Sequence, residues 1–239
     1  MPQPITIVTG STRGIGEATA RLLTERGHLV IGTGRQRPDN PPGPFYEVDF
    51  TDAPETARVM REIASSYAVD NLVNNAGVSK SRTLEETTVE EMDLHYQVNL
   101  RAAVQCTQAV LPGMRERGGG RIVNLSSRVA LGRAVRTPYA AAKAGLIGLT
   151  RGWALELAEH GIAVNAVAPG PVETELFLRN HPPGSEKYLS LQATMPMKRF
   201  GSPEEIAGPI AFLLSADAAY VNGQVLYVCG GASVGSGPI

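Results

Sequence analysis

Tyr139 and Lys143 are four residues apart, in the run Tyr139-Ala140-Ala141-Ala142-Lys143. On a helix that spacing puts both side chains on one face. An ammonium beside a phenol favours the phenolate and lowers its pKa from about 10 toward the working range. Such a tyrosine can protonate an alkoxide as it forms, or deprotonate an alcohol in the reverse direction. Ser126 and Ser127 close a β-rich run just upstream, and their hydroxyls can polarise a carbonyl oxygen. A lone Tyr and Lys at this spacing is ordinarily a solvated helix pair. The serines beside them shift the reading to catalysis.

A second cluster serves binding rather than bond-making. Thr9-Gly10-Ser11-Thr12-Arg13-Gly14-Ile15-Gly16 follows an apolar run and opens a helical pattern. Glycines there allow a tight turn and close backbone approach to a pyrophosphate, and the helix N-terminus supplies free N–H groups and the positive end of its dipole. A glycine-rich turn can also serve packing alone. Its place after the first strand of a βαβ series favours a dinucleotide.

The elements that must position these residues follow from periodicity. Short β-rich runs are expected at Ile5–Thr9, Leu29–Thr33, Phe45–Val48, Asn71–Asn74, Arg121–Leu125, Ala163–Ala168 and Val225–Val228. Helical patterns fill Ile15–Arg26, Pro54–Tyr67, Val89–Arg117, Tyr139–His160 and Pro203–Ser215. This alternation predicts an α/β fold, a single doubly wound Rossmann domain over residues 1–239 with a seven-stranded parallel sheet. Two stretches break the rhythm. Gln36–Pro44 holds four prolines and cannot form a regular helix. Residues 172–202 are long for a connection and follow a strand's C-terminal end, where ligands sit in such sheets, so a substrate lid is expected there.

Composition narrows the function. The 239 residues carry 43% hydrophobic side chains and a net charge of −1, which argues against nucleic acid as a partner. Cys106 and Cys229 form no CxxC pair, so neither a disulfide framework nor a metal site is expected. Met1-Pro2-Gln3-Pro4 runs straight into the first strand without a charged leader, and no apolar run reaches membrane-spanning length. A cytoplasmic protein without a membrane partner fits these features.

The motifs together resemble the short-chain dehydrogenase/reductase family. They are the TGxxxGxG turn at Thr9 to Gly16, Asp49 after the third strand, Asn74-Asn75-Ala76-Gly77 after the fourth, Asn99, the serine pair, Tyr139-x-x-x-Lys143 and Pro169-Gly170. The resemblance implies that Tyr139 is the acid/base, that Lys143 binds the nicotinamide ribose and depresses the tyrosine pKa, that Ser127 holds the substrate oxygen, and that Asn99 anchors a relay water. It places Gly10, Ser11, Thr12, Arg13, Gly14, Ile15 and Gly16 along the pyrophosphate and adenosine. It further implies Asp49 and Phe50 at the adenine, Asn75, Ala76 and Gly77 along the adenosine side, and Pro169, Gly170, Val172 and Thr174 around the carboxamide. The serine assignment stays open, since the commoner family spacing to Tyr139 selects Ser126, while strand register selects Ser127.

Three departures from the pattern stand out. The Pro-rich loop replaces a helix between the second and third strands. Cys229-Gly230-Gly231 replaces an Asp-Gly-Gly, and Ser127 lies twelve residues before Tyr139 rather than thirteen. NAD-dependent members carry an acid at the end of the second strand; here that position is Gly34, followed by Arg35. Arg35 and Arg13 suit a 2′-phosphate, so NADP (NADPH) is expected over NAD. The expected activity is hydride transfer between NADP(H) and a carbonyl or secondary alcohol. 3-Oxoacyl-thioester reduction and NAD-dependent polyol or alcohol oxidation are alternatives.

The resemblance to 3-oxoacyl reductases places their carrier-protein docking positions on Gly118 and His160, for which Arg115, Arg117 and Arg121 can compensate, and Arg128, Arg133 and Arg136 suit an anionic substrate. A non-catalytic cofactor sensor needs no serine, tyrosine and lysine together. A sugar-nucleotide epimerase typically carries a larger C-terminal region. The resemblance also implies a homotetramer, and Ala102, Ala103, Val104, Trp153 and Leu157 exceed what one buried helix face needs.

Overall fold

Ile7 and Val8 are neighbours in the first strand and both are fully buried, one in each of two separate cores. Strand residues alternate faces, so this strand is covered on both sides, each such aliphatic side chain contributing roughly 1.5–3 kcal/mol by leaving water. The computed structural model describes residues 3–235. Met1 and Pro2, and the last four residues of the expected domain, lie outside the described residues.

The strands are β1 (Ile5–Thr9), β2 (Leu29–Gly34), β3 (Phe45–Glu47), β4 (Asn71–Asn74), β5 (Gly120–Leu125), β6 (Ile162–Pro169) and β7 (Val225–Val228). They form a seven-stranded sheet in the order β3-β2-β1-β4-β5-β6-β7. Every pairing is parallel, in registers such as Thr9↔Thr33 and Leu125↔Val167. Helices α1 (Gly14–Glu25) and α8 (Pro203–Leu213) cover one face. On the other lie α2 (Ala53–Ser66), α4 (Ala102–Glu116) and α5 (Thr137–Leu157), with α3 (Val89–Tyr96) leading into α4. The chain order reverses between β1 and β4, which opens a crevice beyond their C-terminal ends. The stretch between β2 and β3 has no helix, as its prolines require.

The structure corrects three expectations. The pattern Val89–Arg117 is not one α-helix, because a π-turn at Gln97–Arg101 divides α3 from α4 and contains Asn99. Residues 172–202 are not merely loop. They hold two short helices, α6 (Glu175–Asn180) and α7 (Glu186–Ala193), each capped by a hydroxyl, Thr174 and Ser185. Phe200 holds them together, meeting Phe177 and Tyr188 edge-on at 4.8 and 4.9 Å. Finally, Ala102, Ala103 and Leu157 are not surplus apolar positions, because each is buried within the chain itself.

Candidate active site

The glycine-turn end of the crevice is fastened by the chain leaving β4. After Asn74 the chain turns at Asn75, whose side-chain amide donates to the carbonyls of Thr9 and Gly10 at 2.8 and 3.0 Å. The Thr9 hydroxyl in turn accepts from the N–H groups of Asn75 and Ala76, both at 3.0 Å. The Asn75 donors are therefore spent on shaping the glycine turn, not on reaching outward.

The turn itself has no room for side chains. Gly10 and Gly14 have φ of +66° and +57°, a region L-residues rarely adopt. A Cβ on Gly16 would lie 2.2 Å from the Gly10 carbonyl oxygen. At the start of α1 the N-cap residue Arg13 makes no side-chain cap, so the first-turn N–H groups face the crevice with the dipole's positive end. These residues fit a dinucleotide pyrophosphate. Ser11 is buried and its N–H donates to Thr33 at 3.1 Å, whereas Thr12 is half-buried and Arg13 exposed. Ile15 turns its side chain into the core.

On the adenosine side, Gly34 ends β2 and the exposed Arg35 follows. Hydrogen bonds from Thr51 hold the Asp49 carboxyl below the usual carboxylate range, with the Arg35 charge adding to them. Phe50 departs from expectation. Its side chain is buried in the core and only its main chain can reach a ligand. At the far end, Pro169 ends β6 and the Gly170 N–H donates to Val228 at 2.9 Å. Val172 is buried and bridges to Gly201. The Thr174 methyl lies 3.1 Å from the position a Gly14 Cβ would take, so the start of the 172–202 segment touches the glycine turn.

Between these ends sit the groups with chemistry. Lys143 is 3% exposed and its Nζ donates to the Leu125 carbonyl at 2.6 Å. The same Nζ lies 5.8 Å from the Tyr139 ring centroid. Ser127 lies close enough to the Tyr139 phenol for its hydroxyl to lower the phenol's pKa, and that hydroxyl accepts from Val129 N–H at 3.2 Å. The Ser126 hydroxyl points away, into the Lys143 carbonyl. Asn99 spends its amide donors on the Val78 and His95 carbonyls and its oxygen on Val78 N–H. That oxygen is 2.7 Å from where a Gly77 Cβ would sit, with Lys143 Nζ at 3.5 Å. Glycine at 77 thus lets the chain pass between Asn99 and Lys143.

Electrostatics here differ from the sequence expectation. Burial pushes the Tyr139 phenol above its ordinary value, and only the hydrogen-bonding influence of Ser127 and the charge of Arg136 pull it back. Lys143 does not contribute, because burial pushes its own ammonium down to about 7. Desolvation outweighs the pairing that the spacing implied.

His95 was not anticipated. It is fully buried, accepts from Lys80 N–H at Nε2 and bonds the Glu91 carbonyl through Nδ1, which fixes Nδ1–H as its tautomer. Its ring meets the Tyr139 ring edge-on at 6.3 Å. The four-residue spacing from His95 to Asn99 was the signal available in the sequence. Among the described residues no group of three His, Cys, Asp or Glu side chains is placed to hold a metal, and no helix is long and apolar enough to cross a membrane.

Comparison with known proteins places this arrangement. A family model described as enoyl-(acyl carrier protein) reductase matches residues 10–233. The chain is 39% identical to a 3-oxoacyl-acyl-carrier-protein reductase of Vibrio cholerae, over 95% of this chain and 96% of that protein. A solved structure of a putative NAD(P)-dependent gluconate 5-dehydrogenase from Beutenbergia cavernae, with bound NADP, superposes with a TM-score of 0.90 at 35% identity, covering 95% of this chain and 96% of that one. A solved short-chain dehydrogenase/reductase family protein superposes with a TM-score of 0.88 at 33% identity, covering 97% of each chain.

Proposed function

This chain belongs to the short-chain dehydrogenase/reductase family, and from that premise we propose that it interconverts a carbonyl compound and the corresponding secondary alcohol with NADP(H). The observation that carries the reading is the convergence of Ser127, Tyr139 and Lys143 at the mouth of a crevice whose other end is a glycine cradle. When bound, NADPH supplies the hydride that reduces the carbonyl carbon.

The chain's own residues handle the oxygen. Ser127 Oγ donates to the substrate oxygen and orients it. Tyr139 Oη, kept protonated by burial, delivers its proton to that oxygen as negative charge develops, and takes it back in the oxidation direction. Lys143 Nζ, fixed by Leu125, holds the nicotinamide ribose and places a proton donor behind the phenol. Asn99 positions the turn at Val78 and, through the π-turn it occupies, anchors the water that returns a proton from solvent. On the adenosine side Arg35 and Arg13 grip the 2′-phosphate, with no acid at Gly34 to repel it. The α6–α7 segment closes over the substrate as a lid.

Two substrate readings have a specific basis. Reduction of a 3-oxoacyl thioester is favoured by the Vibrio cholerae relative, and oxidation of a sugar acid or polyol by the Beutenbergia cavernae structure. A homotetramer in the cytoplasm completes the proposal. Leu155 on α5, 84% exposed, and the partly exposed Phe212 and Leu226 on α8 and β7 supply apolar contact surface, and light scattering of the purified chain tests that assembly. Assays with ketones, 3-oxoacyl thioesters and sugar alcohols, followed at the NADPH absorbance band, test the reaction. The absence of NADPH-dependent turnover across that panel would end this reading.

A further inference from the structure

We infer that the substrate carries an anionic group, a carboxylate or phosphate, seated by the guanidiniums of Arg128, Arg133 and Arg136; this rests on the carbonyl-reductase reading above. The three lie on the segment joining Ser127 to Tyr139, the residues that meet the substrate oxygen. The segment is held in shape at both ends. Arg128 Nη1 donates to the Ala232 carbonyl at 3.1 Å, and Arg136 Nη1 to the Ser79 hydroxyl at 3.0 Å. Arg82 N–H donates to Val135 at 3.2 Å, and Arg82 bridges to Arg136. Val135 has φ of +62°, a conformation a β-branched residue keeps only where its surroundings impose it.

Each of these side-chain bonds uses one of the five N–H donors on a guanidinium. Most donors of Arg128 and Arg136 remain for a forked contact with a carboxylate or phosphate. Among the described residues none of the three arginines forms an ion pair. The acids on neighbouring elements are engaged elsewhere, Glu91 by Arg82 and Lys80, and Glu173 by the Tyr188 hydroxyl. The charges act on one another and on the site. Partial desolvation of its otherwise exposed side chain, then the charges of Arg128 and Arg136, push the Arg133 guanidinium down. The Arg136 charge pulls the Tyr139 phenol down, and the charges of both Arg136 and Arg133 pull down His181 at the end of α6. Like charges gathered without an acid repel one another, and an anion placed among them relieves that repulsion. Arg128 and Arg136 are half-buried and Arg133 is exposed, so two of the three guanidiniums are partly withdrawn from water while the third stays open to a ligand.

The test is calorimetric binding to the NADP⁺-loaded protein, which requires no turnover. Levulinate is compared with methyl levulinate, and dihydroxyacetone phosphate with dihydroxyacetone, so that the two arms separate a carboxylate seat from a phosphate seat. In at least one arm the charged member should bind at least tenfold more tightly than its neutral partner. That ratio should fall several-fold in Arg133→Gln, whose exposed side chain leaves the fold intact. Equal or undetectable binding of the charged members, or a ratio unchanged in Arg133→Gln, would overturn the anion seat. NADPH oxidation with the neutral ketones is measured in parallel. Its occurrence without a charge preference leaves the reductase reading standing and removes only this inference.

Discussion

The Ser126 hydroxyl donates to the main-chain carbonyl of Lys143 at 2.8 Å, tying the end of β5 to α5 one turn beyond Tyr139. Its neighbour Ser127 instead lies within hydrogen-bonding influence of the Tyr139 phenol. Two adjacent hydroxyls thus have opposite tasks, as strand alternation at the end of β5 requires. Ser127→Ala should lower turnover by at least about a hundredfold with little change in NADPH affinity. Ser126→Ala should lose about 1 kcal/mol of stability, the net value of one such hydrogen bond, and keep turnover within several-fold. Steady-state kinetics and thermal melts on both variants check this, and the reverse order of turnover losses would move the catalytic role to Ser126.

Cofactor preference should depend on Arg35. A 2′-phosphate gripped by a guanidinium is held by charge-assisted hydrogen bonds of roughly 1.5–3 kcal/mol. Arg35→Ser should therefore raise KM for NADPH about tenfold or more and leave that for NADH nearly unchanged. The same loss for both cofactors would show that Arg35 serves the fold rather than the phosphate. Gly34→Asp is a poorer first test, because the new Cβ would lie 2.9 Å from the Thr12 methyl.

Lys143 is held at a cost to stability. Burial depresses its pKa from 10.5 to about 7, so below that pH the folded chain carries a desolvated charge. Between about 7 and 10.5 the unfolded chain binds a proton that the folded chain does not, and stability rises with pH across that window. Lys143→Met should raise Tm at pH 6 by at least about 2 °C, the shift expected for roughly 1 kcal/mol in a chain of this size, while abolishing most turnover. The gain should shrink by pH 9. A variant less stable than the parent at pH 6 would mean that the Leu125 hydrogen bond outweighs desolvation.

Much of this was legible in the sequence. Each of the seven strands ends within one residue of the run that alternation and β-branching marked, because parallel strands buried on both faces are written as local apolar runs. The glycine turn and the Tyr139/Lys143 pair were legible for the same reason, as each is a local spacing. What escaped depends on contacts distant in the chain. The π-turn at Asn99 satisfies Val78, twenty-one residues earlier, and a helix-period pattern carries no sign of it. Helices α6 and α7 are too short to show a period and are held by Phe200 from outside both. The pKa values of Tyr139 and Lys143 follow burial, which spacing does not report, and Phe50 was placed at the adenine although its side chain belongs to the core.

The central claim is that Tyr139 is the proton donor in an NADPH-dependent carbonyl reduction. Tyr139→Phe removes one hydroxyl and keeps the ring that meets His95, so the cofactor crevice should survive. General acid catalysis is worth roughly 10²–10⁴ in rate. With a carbonyl substrate that the parent protein reduces, single-turnover NADPH oxidation by the variant should be slower by at least that lower factor, while fluorescence titration gives the same NADPH affinity for both proteins. An unchanged rate in the variant would contradict the account.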